Sequence, residues 1–362
     1  MEYRNLGRSG LKVSRLIMGG AHIGELADLE KTKKLVHAAW DVGVSTFYTA
    51  DDYNVGEGER VLGEALRPRR DDMVLIVKGG YRVGAYTTLS ATGGPADGGE
   101  NYDNQRLSAL DHDRLWKAGV APTSRGMSRK HLSDALEASL RRLNTDYIDV
   151  YAPHYWDPTV PVEETLRTLD DFVRQGKVRY LGCSQHTPWQ LVRALWASDK
   201  HHLARYESIQ VTLSLLERGA LSNVVPALCD VGVSMVASGS DAGGLLSGRY
   251  DRIGDLPTGG GARQLDMHPY WNNAAFEALS KISEIAERSG RGVGELAAAW
   301  TLAQPSVVAL NIGPREPSAF APQAAAVDNP LTEAEATALS ELVSTLPTSL
   351  GAPPPATRVA AS

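Results

Sequence analysis

The chain is 362 residues long, 43% hydrophobic and 22% charged, an ordinary globular composition that leaves room for one large domain. A net charge of −6 and a pI near 5.9 give nucleic acid and anionic membranes nothing to hold, and no apolar run is long enough to span a bilayer. Two cysteines, Cys183 and Cys229, set up neither a disulfide framework nor a metal site, and Met1-Glu2-Tyr3-Arg4 lacks a leader's apolar core, so the expected setting is reducing and cytoplasmic.

In chain order, residues 3–14 alternate and turn like a small hairpin. Residues 13–20 then predict a strand ending in the Gly19-Gly20 pair, and 29–42 a helix with Leu35, Ala38, Ala39 and Val42 on one face. The β-branched and aromatic run 45–50 predicts a second, buried strand. It stops at an Asp, Asn and Gly-rich loop, 51–58, before helical pattern resumes at 62–66. Further strands are predicted at 74–79, 147–154, 178–185, 208–214, 233–240 and 307–313. Residues 127–143, 162–175, 188–198, 221–230, 275–289 and 294–303 carry helical period between them. Such alternation is the sequence form of a parallel α/β barrel. Two connections, 81–126 and 251–271, are too long for simple turns and leave C-terminal strand ends, where barrel enzymes build their sites. They read as functional lids or disordered insertions. The Pro- and Ala-rich tail 347–362 reads as disordered, leaving 1–346 for the barrel.

Residues 43–53 are Gly-Val-Ser-Thr-Phe-Tyr-Thr-Ala-Asp-Asp-Tyr, with Tyr53 where strand opens into loop. This resembles the second-strand motif of the aldo-keto reductases, Gly-Ile/Val-Asn-x-x-Asp-Thr-Ala-x-x-Tyr-Gly, at Gly43, Val44, Thr49, Ala50 and Tyr53. The resemblance, to the potassium-channel β-subunit-like branch, runs from Tyr3 to about Leu346 and implies a (β/α)8 TIM barrel. Carbonyl reduction needs a hydride donor and a proton donor at the substrate oxygen. A phenol, with a pKa of about 10, becomes a workable acid when a nearby ammonium stabilises its phenolate, and a histidine within reach orients the carbonyl. The resemblance implies all three: Tyr53 as proton donor, Lys78 as its pKa modulator and His154 as the orienting donor. It fails at the family's catalytic Asp, whose place Tyr48 takes. A neutral phenol cannot pair the lysine, so Lys78 is expected to be less restrained, and the strand-to-loop register argues against Asp51 or Asp52 as a direct replacement.

The resemblance also implies NADP(H), bound at the ends of strands five to eight without a Rossmann glycine fingerprint, which follows no strand here. Ser184, Gln185 and Gln210 fall on the positions that hold the nicotinamide carboxamide. Gly243, Leu245, Gly248 and the basic Arg249 lie in the segment that approaches the pyrophosphate. Ser238 replaces the aromatic residue that stacks on the nicotinamide, and Ser240 and Asp241 replace Pro and Leu. Gly313 and Arg315 match a Gly-x-Arg segment suited to the 2′-phosphate, and Ala319 and Gln323 fall on adenine-gripping positions. The implied protein is an NADPH-dependent oxidoreductase acting on a carbonyl or hydroxyl of a small-molecule substrate. The long 81–126 connection points to a sugar or secondary metabolite. Tyr48, Ser238, Asp241 and Ala319 keep open a non-redox dehydratase, lyase or isomerase on the same scaffold. Retention of Tyr53, Lys78 and His154 argues against a purely binding or regulatory subunit.

Overall fold

The short β-branched and apolar runs become barrel strands in the computed structural model, which describes residues 1–21, 23, 28–81, 121–254 and 268–351. A hairpin, β1 (Tyr3–Asn5) and β2 (Lys12–Ser14), precedes them. The barrel strands are β3 (Leu16–Gly19), β4 (Thr46–Ala50), β5 (Val74–Gly79), β6 (Ile148–Pro153), β7 (Val178–Ser184), β8 (Tyr206–Thr212), β9 (Ser234–Ser238) and β10 (Val307–Ile312). All eight run parallel, and β10 closes on β3 through Leu310↔Leu16, Asn311↔Ile17 and Ile312↔Met18. Each predicted strand is present, that at 74–79 with the expected bounds and the others trimmed or shifted at their ends.

Around the barrel lie α1 (Leu29–Asp41), α2 (Glu57–Leu66), α3 (Arg129–Leu143), α4 (Val162–Arg174), α5 (Pro188–His201), α6 (Gly219–Val231), α7 (Asn273–Arg288), α8 (Val293–Leu302), α9 (Phe320–Asp328) and α10 (Glu333–Ser344). Three depart from the sequence expectation, among them α9, where helical period predicts no helix. The loop expected over 51–58 is a 3-10 turn, Tyr53–Gly56, that feeds α2 directly, with Gly56 left-handed at φ 84° as the N-cap. Periodicity does not mark α10, which a Thr332–Glu335 capping box opens. Among the described residues no helix is long and apolar enough to cross a membrane.

Strand alternation divides the apolar residues into two cores. Leu16, Phe47, Leu75, Leu181 and Leu310 face the helices. Ile17, Tyr48, Ile76, Val150, Val236 and Val308 fill the barrel, and the hairpin's Leu6 and Val13 plug its lower end. The same period carries Lys78 and Ser238, two residues beyond Ile76 and Val236, to the inner face near the upper end. Buried Arg15 clasps the closure, donating to the carbonyls of Val307 at 2.7 Å, and of Val308 and Leu302 at 2.8 Å.

The tail expected to be disordered from 347 begins otherwise. Thr348 accepts from the Arg218 amide at 2.7 Å, the Leu350 amide donates to Leu216 at 2.9 Å, and the Leu350 side chain is buried. Apolar anchorage thus holds residues 347–351 on the barrel, while 352–362 lie outside the described residues. So does most of both long connections, 82–120 and 255–267.

Helix α2 meets the end of α3 so closely that a Cβ on Gly63 would collide with the Leu143 carbonyl. Gly→Ala in an open helix gains about 1 kcal/mol; here the clash outweighs that gain. G63A is expected to lose about 1–3 kcal/mol of stability in urea unfolding, and a net gain would show that α2 and α3 do not touch there.

Candidate active site

The upper ends of β4, β5 and β6 bring three polar side chains together because the ladder runs on past the strands. The Asp51 amide donates to the Lys78 carbonyl and the His154 amide to the Gly79 carbonyl, each at 3.0 Å. Ala50, Lys78 and Ala152 sit side by side in register. Lys78 therefore rises between Tyr53, three residues beyond Ala50, and His154, two beyond Ala152.

The Lys78 ammonium donates to the Tyr53 hydroxyl at 3.0 Å. It also lies 4.8 Å above the Tyr48 ring and 5.3 Å from the Tyr53 ring, within cation–π range. The hydroxyls of Tyr48 and Tyr53 are in direct hydrogen-bond contact, their rings edge to face, and Gln210 donates to the Tyr48 oxygen at 3.5 Å. Gly19 faces Tyr48 across the β3–β4 pair, and any Cβ there would collide with the Tyr48 ring. The glycine makes room for the larger residue.

His154 is nearly buried, with 12% of its side chain exposed. Its ring lies edge-on to Tyr53 at 5.9 Å and against Tyr81 at 4.6 Å, and Tyr81 stacks in turn on Tyr155. Burial first, then the Lys78 charge, pushes the imidazole down to about 4, against the pull of Asp52. It is neutral near pH 7. The Asp52 Oδ1 lies 3.4 Å from the His154 Nδ1, and neither has another partner among the described residues. Neither Asp51 nor Asp52 pairs with Lys78 among the described contacts. Asp51 instead accepts from the Gly80 amide at 3.0 Å. Burial and the nearby charges of Asp52 and Glu59 hold its carboxyl well above the usual range. Glu59, itself buried, binds Arg142 at 2.6 Å.

Asp51, Asp52 and His154 gather donor atoms within 4.8 Å of one another. The Lys78 ammonium stands close enough to this group to disfavour a positive charge on His154.

The turn after β4 fixes Tyr53. Asn54 and Val55 are both left-handed, at φ 49° and 59°, the second an unusual state for a β-branched residue. The Asn54 amide holds it by donating to the carbonyls of Ala21 and Ile23, the latter at 2.8 Å.

The expected cofactor residues occupy the other half of the rim. Ser184 ends β7 opposite Gln210, and the Gln185 amide donates to the Gln210 carbonyl at 3.1 Å. Gln185 itself is exposed and left-handed, at φ 57°. Ser238 ends β9 between Thr212 and Asn311. Above it Gly243, Leu245 and Gly248 form a tight turn, with φ of 67° at Gly243 and 81° at Gly248. The Gly244 and Leu246 amides turn inward to the Asp241 carbonyl, which reduces the backbone donors facing outward. Arg249 is exposed and donates to Ser247 at 3.1 Å. Gly313, Arg315, Ala319 and Gln323 follow β10 into α9. Ser184 Oγ, Asn311 Oδ1 and Gln323 Oε1 are buried atoms without a hydrogen-bond partner among the described residues, able to accept from a donor brought to the rim. Sequence reasoning picked out neither Asn311 nor Tyr81. Their one signal is position at a strand end.

Residues 15–344 match the model of the Aldo/keto reductase family. The aldo-keto reductase dtxS3 of Metarhizium robertsii is 32% identical over 310 residues, covering 83% of this chain and 80% of its own. The uncharacterized oxidoreductase YrpG of Bacillus subtilis is 32% identical over 322 residues, 87% of each chain. A Schizosaccharomyces pombe protein provisionally named a voltage-gated potassium channel subunit beta is 30% identical over 347 residues, 90% of this chain and 88% of its own.

A second buried imidazole, His186, donates from Nδ1 to the Ser184 carbonyl at 2.8 Å, and burial holds it too down to about 4. Unfolding returns both groups toward 6.5. The unfolded chain then binds protons that the folded one refuses, so this stability is full above pH 6.5 and lost as pH falls toward 4, by up to about 3 kcal/mol per imidazole. The raised carboxyls of Asp51 and Glu59 act oppositely, stabilising at low pH and less as pH rises. The difference between wild type and H186Q is therefore the clean quantity. Urea midpoints between pH 7 and 4.5 should fall less steeply in H186Q, and parallel curves would mean that His186 titrates normally in the fold.

Proposed function

The chain belongs to the aldo/keto reductase family, and we propose that it is an NADP(H)-dependent oxidoreductase that interconverts a carbonyl and a hydroxyl on a small molecule. The observation that carries this is the Lys78 ammonium donating to the Tyr53 hydroxyl at 3.0 Å, with His154 alongside. A substrate oxygen entering between Tyr53 and His154 meets a hydroxyl whose proton can leave, because the ammonium stabilises the charge that develops on the phenolic oxygen. Neutral His154 orients that oxygen. Burial of Tyr48, Tyr53 and Lys78 keeps bulk water from competing for the proton.

When bound, the dinucleotide supplies or receives the hydride. Ser184, Gln185 and Gln210 would hold its carboxamide, and the 243–249 turn with Arg249 its pyrophosphate. Gly313 and Arg315 would take the 2′-phosphate, with Ala319 and Gln323 near the adenine. The unpartnered acceptors at Ser184, Asn311 and Gln323 support this placement. Ser238 gives the nicotinamide no aromatic platform, so weaker affinity follows.

That last feature, with Tyr48 in the catalytic Asp position, supports a second reading: proton transfer next to a carbonyl without redox, by the same Tyr53, Lys78 and His154. Cofactor binding separates the two. NADPH fluorescence should report binding in the micromolar range. Y53F should keep that binding and lose about 10²- to 10⁴-fold in carbonyl turnover. No binding at millimolar NADPH would end the oxidoreductase proposal in favour of the non-redox one.

A further inference from the structure

Among the described residues Tyr48 makes two hydrogen bonds through its hydroxyl. Its oxygen accepts from Gln210 Nε2 at 3.5 Å, and its own proton has one acceptor among the described contacts, the Tyr53 oxygen. Gln210 Nε2 is a donor, so this long contact does not compete for the Tyr48 proton. The Lys78 ammonium, which has only donors, also points at the Tyr53 oxygen, at 3.0 Å. Two donors thus converge on one phenolic oxygen, as they would on an anion.

We propose that Tyr48 is the second donor of an anion hole for Tyr53, so that Tyr53 rests as a phenolate and serves first as the base for a substrate hydroxyl. This rests on the reading above that Tyr53 is the proton-transfer group. In the oxidative direction the phenolate takes the hydroxyl proton. The carbinol C–H bond breaks, with its hydride passing to the oxidised nicotinamide dinucleotide, and the C=O bond forms. Tyr53 ends protonated and returns one proton to solvent. A carboxylate at position 48 would neutralise Lys78. A phenol leaves the ammonium's charge directed at Tyr53 and adds a hydrogen bond of its own. Among the described residues, the charged and titratable neighbours of Tyr53 include Tyr48 on β4, Asp52 next to it in sequence, Lys78 on β5 and His154 after β6. Of these Lys78, in direct hydrogen-bond contact, favours the phenolate, the Asp52 carboxylate opposes it, and neutral His154 adds no charge.

Ultraviolet difference titration of tyrosinate tests this without turnover. Subtracting Y53F from wild type isolates one of the 13 tyrosines. That difference should show a tyrosinate already formed by about pH 8, well below the ordinary phenol value of about 10. In Y48F, which keeps the ring over Lys78, the titration should move up by about one pH unit. Q210E, which leaves both rings intact and offers Tyr48 a carboxylate to bond instead, should move it the same way, along with the rising limb of alcohol oxidation. An ordinary phenol titration in wild type, or a Y48F titration unchanged from wild type, would overturn the proposal. Full carbonyl turnover by Y53F would instead sink the underlying assignment of Tyr53, whatever the titrations show.

Discussion

A buried ammonium must be answered by something, and everything at this barrel's mouth is arranged around how Lys78 is answered. Leaving such a charge unpaired costs several kcal/mol. Cation–π contact with the Tyr48 and Tyr53 rings returns about 0.5–2 kcal/mol, and a charge-assisted hydrogen bond about 1.5–3 kcal/mol. These neutral partners do not cover the cost comfortably, whereas negative charge on the Tyr53 oxygen would. The nearest carboxylates are turned elsewhere, Asp51 to the Gly80 amide and Asp52 toward His154. The contacts with the ammonium therefore fall to the phenols.

The surrounding wall is built to keep that geometry. Gly19 opens space for the Tyr48 ring, and Gly79 does the same for the Tyr151 hydroxyl, which a Cβ there would strike. Behind them the buried Asp51, Glu59 and Tyr151, with half-buried Arg142, form a polar layer in which one oxygen each of Asp51, Glu59 and Tyr151 lacks a partner among the described residues. Val55, 45% exposed yet left-handed, keeps the chain in a disfavoured turn directly after Tyr53. Such strain persists because two long-range bonds from Asn54 over-determine it.

The barrel was legible because its strands are short β-branched runs whose period of two sorts residues inward and outward, and no tertiary contact contradicts that preference. Tyr53, Lys78 and His154 were legible as strand-end residues inside longer motifs. Tyr48 was visible as a departure, but its partner was not, since five residues of separation say nothing about two hydroxyls meeting across a strand and a turn. The Asp52–His154 approach depends likewise on the register of β4, β5 and β6. Leu350 was hidden by its company: a lone leucine in a Pro- and Ala-rich stretch looks solvent-exposed until Leu216 and Arg218 are seen to receive it.

The clasp made by Arg15 has a consequence for the order in which the molecule comes into being. Its guanidinium belongs to the first strand's doorstep, yet its acceptors are Leu302, Val307 and Val308. At synthesis rates of about 5–20 residues per second, those carbonyls follow it by about 15–60 s. Throughout that interval the edge of β3 is open and a cation meant for burial stays hydrated. The nascent chain thus holds an unfinished sheet whose missing neighbour is its own last strand, and a chaperone shielding that edge would protect it until release.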